Sequence, residues 1–280
     1  HDATAMRQAE EKSDMDLFSV RSILFLPASN PRAIEKARGL GADLVVLDIE
    51  DAVKPADKEA ARAAAVAAVA AGFPVPAAIR INSDARWWSE DVAAVAASRA
   101  DYAIVPMTAG RDDVARAREA TGKPVLAMVE TARGVLAAPA IAEVAEALIA
   151  GTNDLAADLG LRPGGARGAL TMALQSILLA ARAAGKAAFD GVHNRLDDPA
   201  GLEAECREGR GFGFDGKSLI HPGQIDIANR LFGPSDEEVD AARRLVAAAT
   251  GGAERFEGEM IEHMHVEQAR FVLARAREAR

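Results

Sequence analysis

Eight short runs rich in Val, Ile, Leu and Ala recur along the chain at a spacing of roughly 28 residues, and this repeat constrains the fold more than any other feature. They are SILFLPA (22–28), DLVVLDIED (43–51), AAIRINS (77–83), YAIVPMT (102–108), PVLAMVE (124–130), ALIAGTND (147–154), AAFDGVH (187–193) and GKSLIHP (216–222). Their apolar stretches are nearly continuous rather than alternating, the pattern of strands covered on both faces. Ala-, Glu- and Arg-rich stretches such as 57–71, 86–99 and 133–146 lie between them and are long enough for three or more helical turns. Eight strand-plus-helix units predict a (β/α)8 TIM barrel, a fold of about 250 residues. The rival is an open doubly wound sheet, but no G-x-G-x-x-G follows the first strand. Residues 1–18 are polar and read as a flexible or appended tail, 19–233 as the barrel. Residues 235–250 and 259–279 read as two further helices in an extension spanning 234–280.

Composition narrows the class of function. The net charge is −9 with a pI near 5.2, and no block of Lys and Arg stands out. This argues against nucleic acid or an anionic membrane as the main partner, while a few local cations would suffice for a phosphorylated ligand. No apolar run reaches the roughly 18–20 residues of a membrane span. Cys206 is the single cysteine, which excludes an intrachain disulfide and predicts a reducing, cytoplasmic setting. It lies in the charged stretch EAECREGRG with no adjacent His and reads as a bystander.

In such a barrel the chemistry gathers where the strands end. The expected ends carry Asp48, Glu50 and Asp51; Arg80 and Asn82; Met107; Glu130; Asn153 and Asp154; His193; and His221. Singly, Glu130 could serve a helix N-terminus and Asp154 a helix cap. On consecutive strands of a barrel they converge on the axis. Two hard oxygen ligands with room for waters and a chelating substrate suit Mg2+. Zn2+ fits less well, since no His or Cys has ligand spacing with them. His193 and His221 read as hydrogen-bonded structural residues. Arg80 offers a planar fork for a substrate carboxylate, or an ion pair with the strand-two acids. Alternation along strand two sends Asp48 and Glu50 inward, to bind metal waters or orient Arg80, and turns Asp51 toward the following loop.

The stretches RSILFLPASNP, GADLVVLDIEDAV, IRIN, LAMVETARGVL, AGTNDLAADLG and GFDGKSLIHPGQI resemble, in order, the citrate lyase β-subunit-like branch of the HpcH/HpaI aldolase superfamily, over about residues 20–265. The resemblance implies a Mg2+-dependent carbon–carbon lyase on a TIM barrel, typically a homotrimer. Its substrates would be β-hydroxyacyl-CoA thioesters such as malyl-, citramalyl- or citryl-CoA. It places Glu130 and Asp154 on the metal ligands, Arg80 on the substrate-carboxylate arginine, and Arg32 and Lys36 on cations contacting the coenzyme A phosphates. The family commonly carries a catalytic Asp in a C-terminal MID segment that reaches a neighbouring subunit's site. Two departures stand out. The loop after strand one reads PAS (27–29) where relatives usually have PGN, and MIEHMH (260–265) puts Glu262 where Asp is usual.

The expected activity is reversible cleavage of such a thioester to an acyl-CoA and an α-keto acid. Arg80 would hold the carboxylate, and Glu262 of a neighbouring chain would exchange a proton at the acyl α-carbon. The alternatives are a CoA-independent aldolase for free hydroxy keto acids and a non-catalytic subunit binding CoA or a metabolite. The aldolase branch typically carries a His in the strand-two acidic region, and LDIEDAVKP has none.

Overall fold

The computed structural model describes residues 16–162, 167–250 and 252–278. Eight parallel strands close into a barrel in sequence order: β1 (Ser22–Pro27), β2 (Leu44–Asp48), β3 (Ala77–Arg80), β4 (Tyr102–Val105), β5 (Val125–Val129), β6 (Ala147–Ala150), β7 (Ala187–Asp190) and β8 (Gly216–Leu219), with β8 pairing back to β1. Every expected strand is present, but each stops one to four residues short of its run in the sequence. Helices α1 (Pro31–Ala37), α2 (Lys58–Ala71), α3 (Ala85–Ala96), α4 (Arg111–Thr121), α5 (Ala132–Ala142), α6 (Thr152–Asp158), α7 (Thr171–Ala183), α8 (Pro199–Phe212) and α9 (Ile225–Phe232) follow the strands.

Alternation along the strands divides the apolar residues between two cores. Ile23, Leu44, Val46, Ala78, Ile104, Leu126, Met128, Ile149 and Phe189 fill the barrel interior, and Val45, Leu47, Ile79, Val105, Ala127 and Leu148 pack outward under the helices. Fully burying a side chain of this kind contributes about 1.5–3 kcal/mol. The same period continues at the strand ends. Asp48 stands above Val46, Arg80 above Ala78 and Glu130 above Met128, so all three polar side chains enter the barrel mouth.

Residues 1–15 of the expected tail lie outside the described residues. Leu17 and Phe18, assigned to that tail from the sequence, belong to the fold instead. They form a short 3-10 turn at Leu17–Ser19 and pack against the interior core from below β1. In the extension, α10 (Asp236–Ala248) is followed by a hairpin of β9 (Glu254–Phe256) and β10 (Glu259–Ile261) and then α11 (His263–Glu278). The helix expected from residue 259 therefore begins at His263, because 259–261 pair as a strand. The extension closes the lower end of the barrel. The Phe271 ring meets Phe18 edge-to-face at 6.1 Å, and Arg275 donates to the main-chain oxygens of Asp215 and Phe232.

Candidate active site

Strand register explains the central pair of the barrel mouth. Asp48 on β2 lies directly beside Arg80 on β3. Arg80 Nε and Nη2 donate to the two Asp48 oxygens at 2.9 and 2.6 Å, a bidentate bond, while Nη1 lies 3.1 Å from Glu50. The guanidinium carbon also stands 5.4 Å from the centre of the Phe25 ring. Burial alone would lower the Arg80 pKa, but the hydrogen bonds and charge of Asp48, with Glu50 and Glu130 beyond, hold it above its ordinary value. Nη1 also donates to the Met128 sulfur at 3.8 Å, so every guanidinium nitrogen has a protein partner and the second N–H of Nη2 is the one left to meet a ligand carboxylate.

Asp48 uses its carboxylate fully. Besides Arg80 it accepts the main-chain N–H groups of Glu50 and Ala52, folding the 49–52 loop over the end of β2. Since β2 ends at Asp48, the alternation expected through Asp51 does not continue. Asp51, 65% exposed and 3.9 Å from Arg80 Nη1, lines the cavity rather than facing away from it. Burial is the main cause that pushes the Glu50 pKa up to about 8, with Arg80 opposing and Asp51, Asp48 and Glu130 adding to the rise.

Across the mouth, Glu130 follows β5 and is 1% exposed. Helix α5 begins two residues later under its own cap, Thr131, so Glu130 serves no helix terminus. One Glu130 oxygen accepts the N–H of Met107, whose φ of 51° is left-handed backbone that a side-chain-bearing residue adopts only under constraint. The other, Oε2, is buried without a hydrogen-bond partner among the described residues. Gly151 lies opposite, because β5 and β6 pair Val129 with Ala150 immediately before these two residues. A Cβ on Gly151 would collide with the Glu130 carboxylate and Cβ, so only glycine admits this side chain. Burial pushes the Glu130 pKa up to about 7; the Met107 N–H and Arg80 oppose the rise, while Asp154 and Asp51 reinforce it. Asp154, in the first turn of α6, lines the same cavity, and burial with the nearby Asp51 charge raises its pKa.

Asp48, Asp51, Arg80, Glu130 and Asp154 surround a cavity of roughly 370 Å³ whose other walls include Phe25, Met128, Asn153, Val192, Ser218 and Ile220, while Glu50 stays behind Arg80 and does not line it. An orphaned carboxylate oxygen beside a second, partly exposed carboxylate fits a divalent cation that keeps several waters. Among the described residues no group of three or more His, Cys, Asp or Glu side chains is arranged to hold a metal ion, so Glu130 and Asp154 would leave the other positions of a bound Mg2+ to water and substrate. Arg32 and Lys36 lie one turn apart on the exposed face of α1, beside the mouth, and their side chains make no ion pair among the described residues. His193 turns away from the cavity to Glu205, 3.0 Å distant, and His221 accepts the Gly223 N–H to cap a turn. Cys206, on the inner face of α8, is fully buried, with its thiol pushed up to about 11 by burial. Glu262 is exposed at the start of α11, on an extension packed at the opposite end of the barrel, and does not line this chain's cavity.

Residues 21–222 match the HpcH/HpaI aldolase/citrate lyase family. The chain belongs to this family. The (3S)-malyl-CoA thioesterase of Cereibacter sphaeroides is 42% identical over 269 residues, covering 91% of this chain and 94% of that protein. The citrate lyase subunit beta of Escherichia coli is 34% identical over 280 residues, covering 91% and 93% respectively. Among solved structures, protein CitE from Mycobacterium tuberculosis in complex with magnesium, acetoacetate and coenzyme A is 34% identical with a TM-score of 0.78, covering 91% of this chain and 97% of that chain. The family match and the closed barrel agree with the fold and kinship expected from the strand-end motifs. Three features had no signal in the sequence: the constraint at Gly151, the left-handed Met107, and the inward position of Asp51.

Proposed function

We propose that this protein is a Mg2+-dependent lyase that reversibly cleaves a β-hydroxyacyl-CoA of the malyl-, citramalyl- or citryl-CoA type to an acyl-CoA and an α-keto acid. The observation that carries the reading is the unbonded Glu130 oxygen, buried in a cavity that also holds Asp154 and the edge of Arg80. Glu130 and Asp154 are the residues that would hold Mg2+, which when bound supplies a Lewis acid for the oxygen that becomes the keto group. Arg80, fixed by Asp48 and Glu50, binds and orients the adjacent carboxylate. The bond between the hydroxyl-bearing carbon and the acyl α-carbon breaks. A carboxylate takes the hydroxyl proton, the hydroxyl oxygen becomes the carbonyl oxygen of the keto acid, and the bonding pair passes to the acyl α-carbon as an enolate. A carboxylate then returns a proton to that carbon, and we assign this to Glu262 of a neighbouring subunit. Its site on the extension at the far end of the barrel supports transfer between subunits rather than within one.

Arg32 and Lys36 would meet the coenzyme A phosphates at the lip, with no competing ion pair of their own among the described residues. A homotrimer working in the cytoplasm completes the proposal, with residues 234–280 holding the base of their own barrel on one face and meeting a neighbour with the other. No helix among the described residues is long and apolar enough to cross a membrane.

The 42% identity to malyl-CoA thioesterases favours a second reading, hydrolysis of the thioester in the same cavity. One assay separates the two. With (3S)-malyl-CoA and Mg2+, the lyase releases glyoxylate and acetyl-CoA without a free thiol, whereas hydrolysis releases malate and the free thiol of CoA. Absence of turnover on malyl-, citramalyl- and citryl-CoA refutes both.

A further inference from the structure

Lys58, the first residue of α2, is a buried lysine whose ammonium touches no carboxylate among the described residues. Its Nζ donates to the main-chain oxygen of Ile49 at 3.0 Å, that of Glu50 at 2.6 Å, and Asn82 Oδ1 at 2.6 Å. Three N–H bonds meet three acceptors, so the donor capacity of the ammonium is saturated. Asn82 is fixed in turn. Its amide donates to Ile49 O and to Asp91, Asp91 also accepts the Asn82 main-chain N–H, and Arg62 from α2 holds the other Asp91 oxygen at 2.7 Å.

These bonds converge on the loop that begins at Asp48. Lys58 holds the loop's carbonyl side, and Asp48 accepts its N–H side at Glu50 and Ala52 while gripping Arg80 bidentately. The loop also carries Glu50, which contacts the remaining arm of Arg80. The arginine fork, the loop and the ammonium therefore form one hydrogen-bonded chain from the outer layer of the barrel to the cavity. We infer that Lys58 is a positioning residue that sets the alignment of Arg80, and through it recognition of the substrate carboxylate, by clamping the Ile49 and Glu50 carbonyls. Arginine cannot replace it, because a planar fork cannot converge on three acceptors arranged around one point.

The activity arm of the test rests on the lyase reading proposed above; a second arm does not. Lys58→Met keeps the length of the side chain without its donors and should lower kcat/KM by about ten- to a hundredfold, the scale of a misplacement near 1 Å. If Lys58 acts through Arg80, adding Lys58→Met to Arg80→Lys should change kcat/KM by less than about threefold, since coupled residues are not additive. A Lys58→Met effect below threefold in the wild-type background, or effects that multiply in the double variant, overturns the inference. Independently of turnover, hydrogen exchange followed by mass spectrometry should show faster exchange at 49–53 in Lys58→Met, with β4 and β5 unchanged. Unchanged exchange at 49–53, or a uniform rise through all strands, overturns the clamp. A wild-type protein without thioester turnover would sink the lyase reading alone, and the exchange result would still decide the role of Lys58.

Discussion

Gly151→Ala isolates the contact on which the candidate metal site depends. The added methyl would meet both the carboxylate oxygen and the Cβ of Glu130, well inside van der Waals contact. Rotating the carboxylate relieves the first clash. The second involves an atom fixed to the main chain at the end of β5, so only a backbone shift relieves it. Overpacking of a filled interior costs about 1–3 kcal/mol, equivalent in a domain of this size to a fall in Tm of about 2–12 °C. A carboxylate displaced by about 1 Å should also lose about a hundredfold in turnover. The assay combines thermal unfolding, Mg2+ titration by calorimetry and thioester turnover, with Gly211→Ala as the control. Gly211 lies in α8 with open space around its Cβ position, and alanine there should be neutral or stabilising by about 0.5–1 kcal/mol. Wild-type Mg2+ affinity and turnover in Gly151→Ala would refute the packing of Glu130 against the end of β6.

Glu130, with a folded pKa of about 7 against an ordinary 4.5, binds its proton more tightly when folded. Metal-free stability should therefore fall as pH rises from about 4.5 to about 7, by on the order of 3 kcal/mol; a flat profile of Tm against pH would contradict this. Cation binding favours the ionised form, so Mg2+ should raise Tm more at about pH 8 than at about pH 5.5, with proton release seen by calorimetry in buffers of different ionisation enthalpy. Glu130→Ala and Glu262→Ala should each be inactive alone and regain partial activity when co-refolded, because a mixed interface joins an intact cavity to an intact Glu262; no recovery would place Glu262 outside the reaction. Cys206 should resist thiol reagents until the protein unfolds, and Cys206→Ala should retain turnover, measured by labelling stoichiometry and initial rates.

The strands were legible because a parallel barrel buries both faces, which writes continuous apolar runs into the sequence. Their ends were less so. DLVVLDIED looks uniform through residue 51, yet Asp48 stops the strand by capping the loop with its own carboxylate. The inward position of Asp51 follows from that turn and not from a period. Glu130, Asp154 and Arg80 were visible as charges at apolar run ends. The contacts that fix them join residues far apart in sequence, such as Lys58 with Asn82 and Asp48 with Arg80, and no local pattern records them. Leu17 and Phe18 escaped notice because two apolar residues beside a polar stretch carry no periodicity, and the hairpin at 254–261 because its strands are three residues each.

The Phe18–Phe271 contact also bears on the order in which the molecule is completed. One ring precedes the first strand, and the other follows the whole barrel and lies on its last helix. During translation, Phe18 emerges early and has no Phe271 to meet until every strand has been made. The lower mouth, with Leu17 and Phe18 against the interior, is thus sealed last, by a contact between the first and last elements of the fold. Contacts of that span slow folding and leave apolar surface open meanwhile. A nascent chain whose eight strands have left the ribosome while the extension is still inside it would hold a barrel with its upper mouth assembled and its base unstoppered. Such a nascent chain would be a target for chaperones and proteases although every residue lining its cavity is already in place.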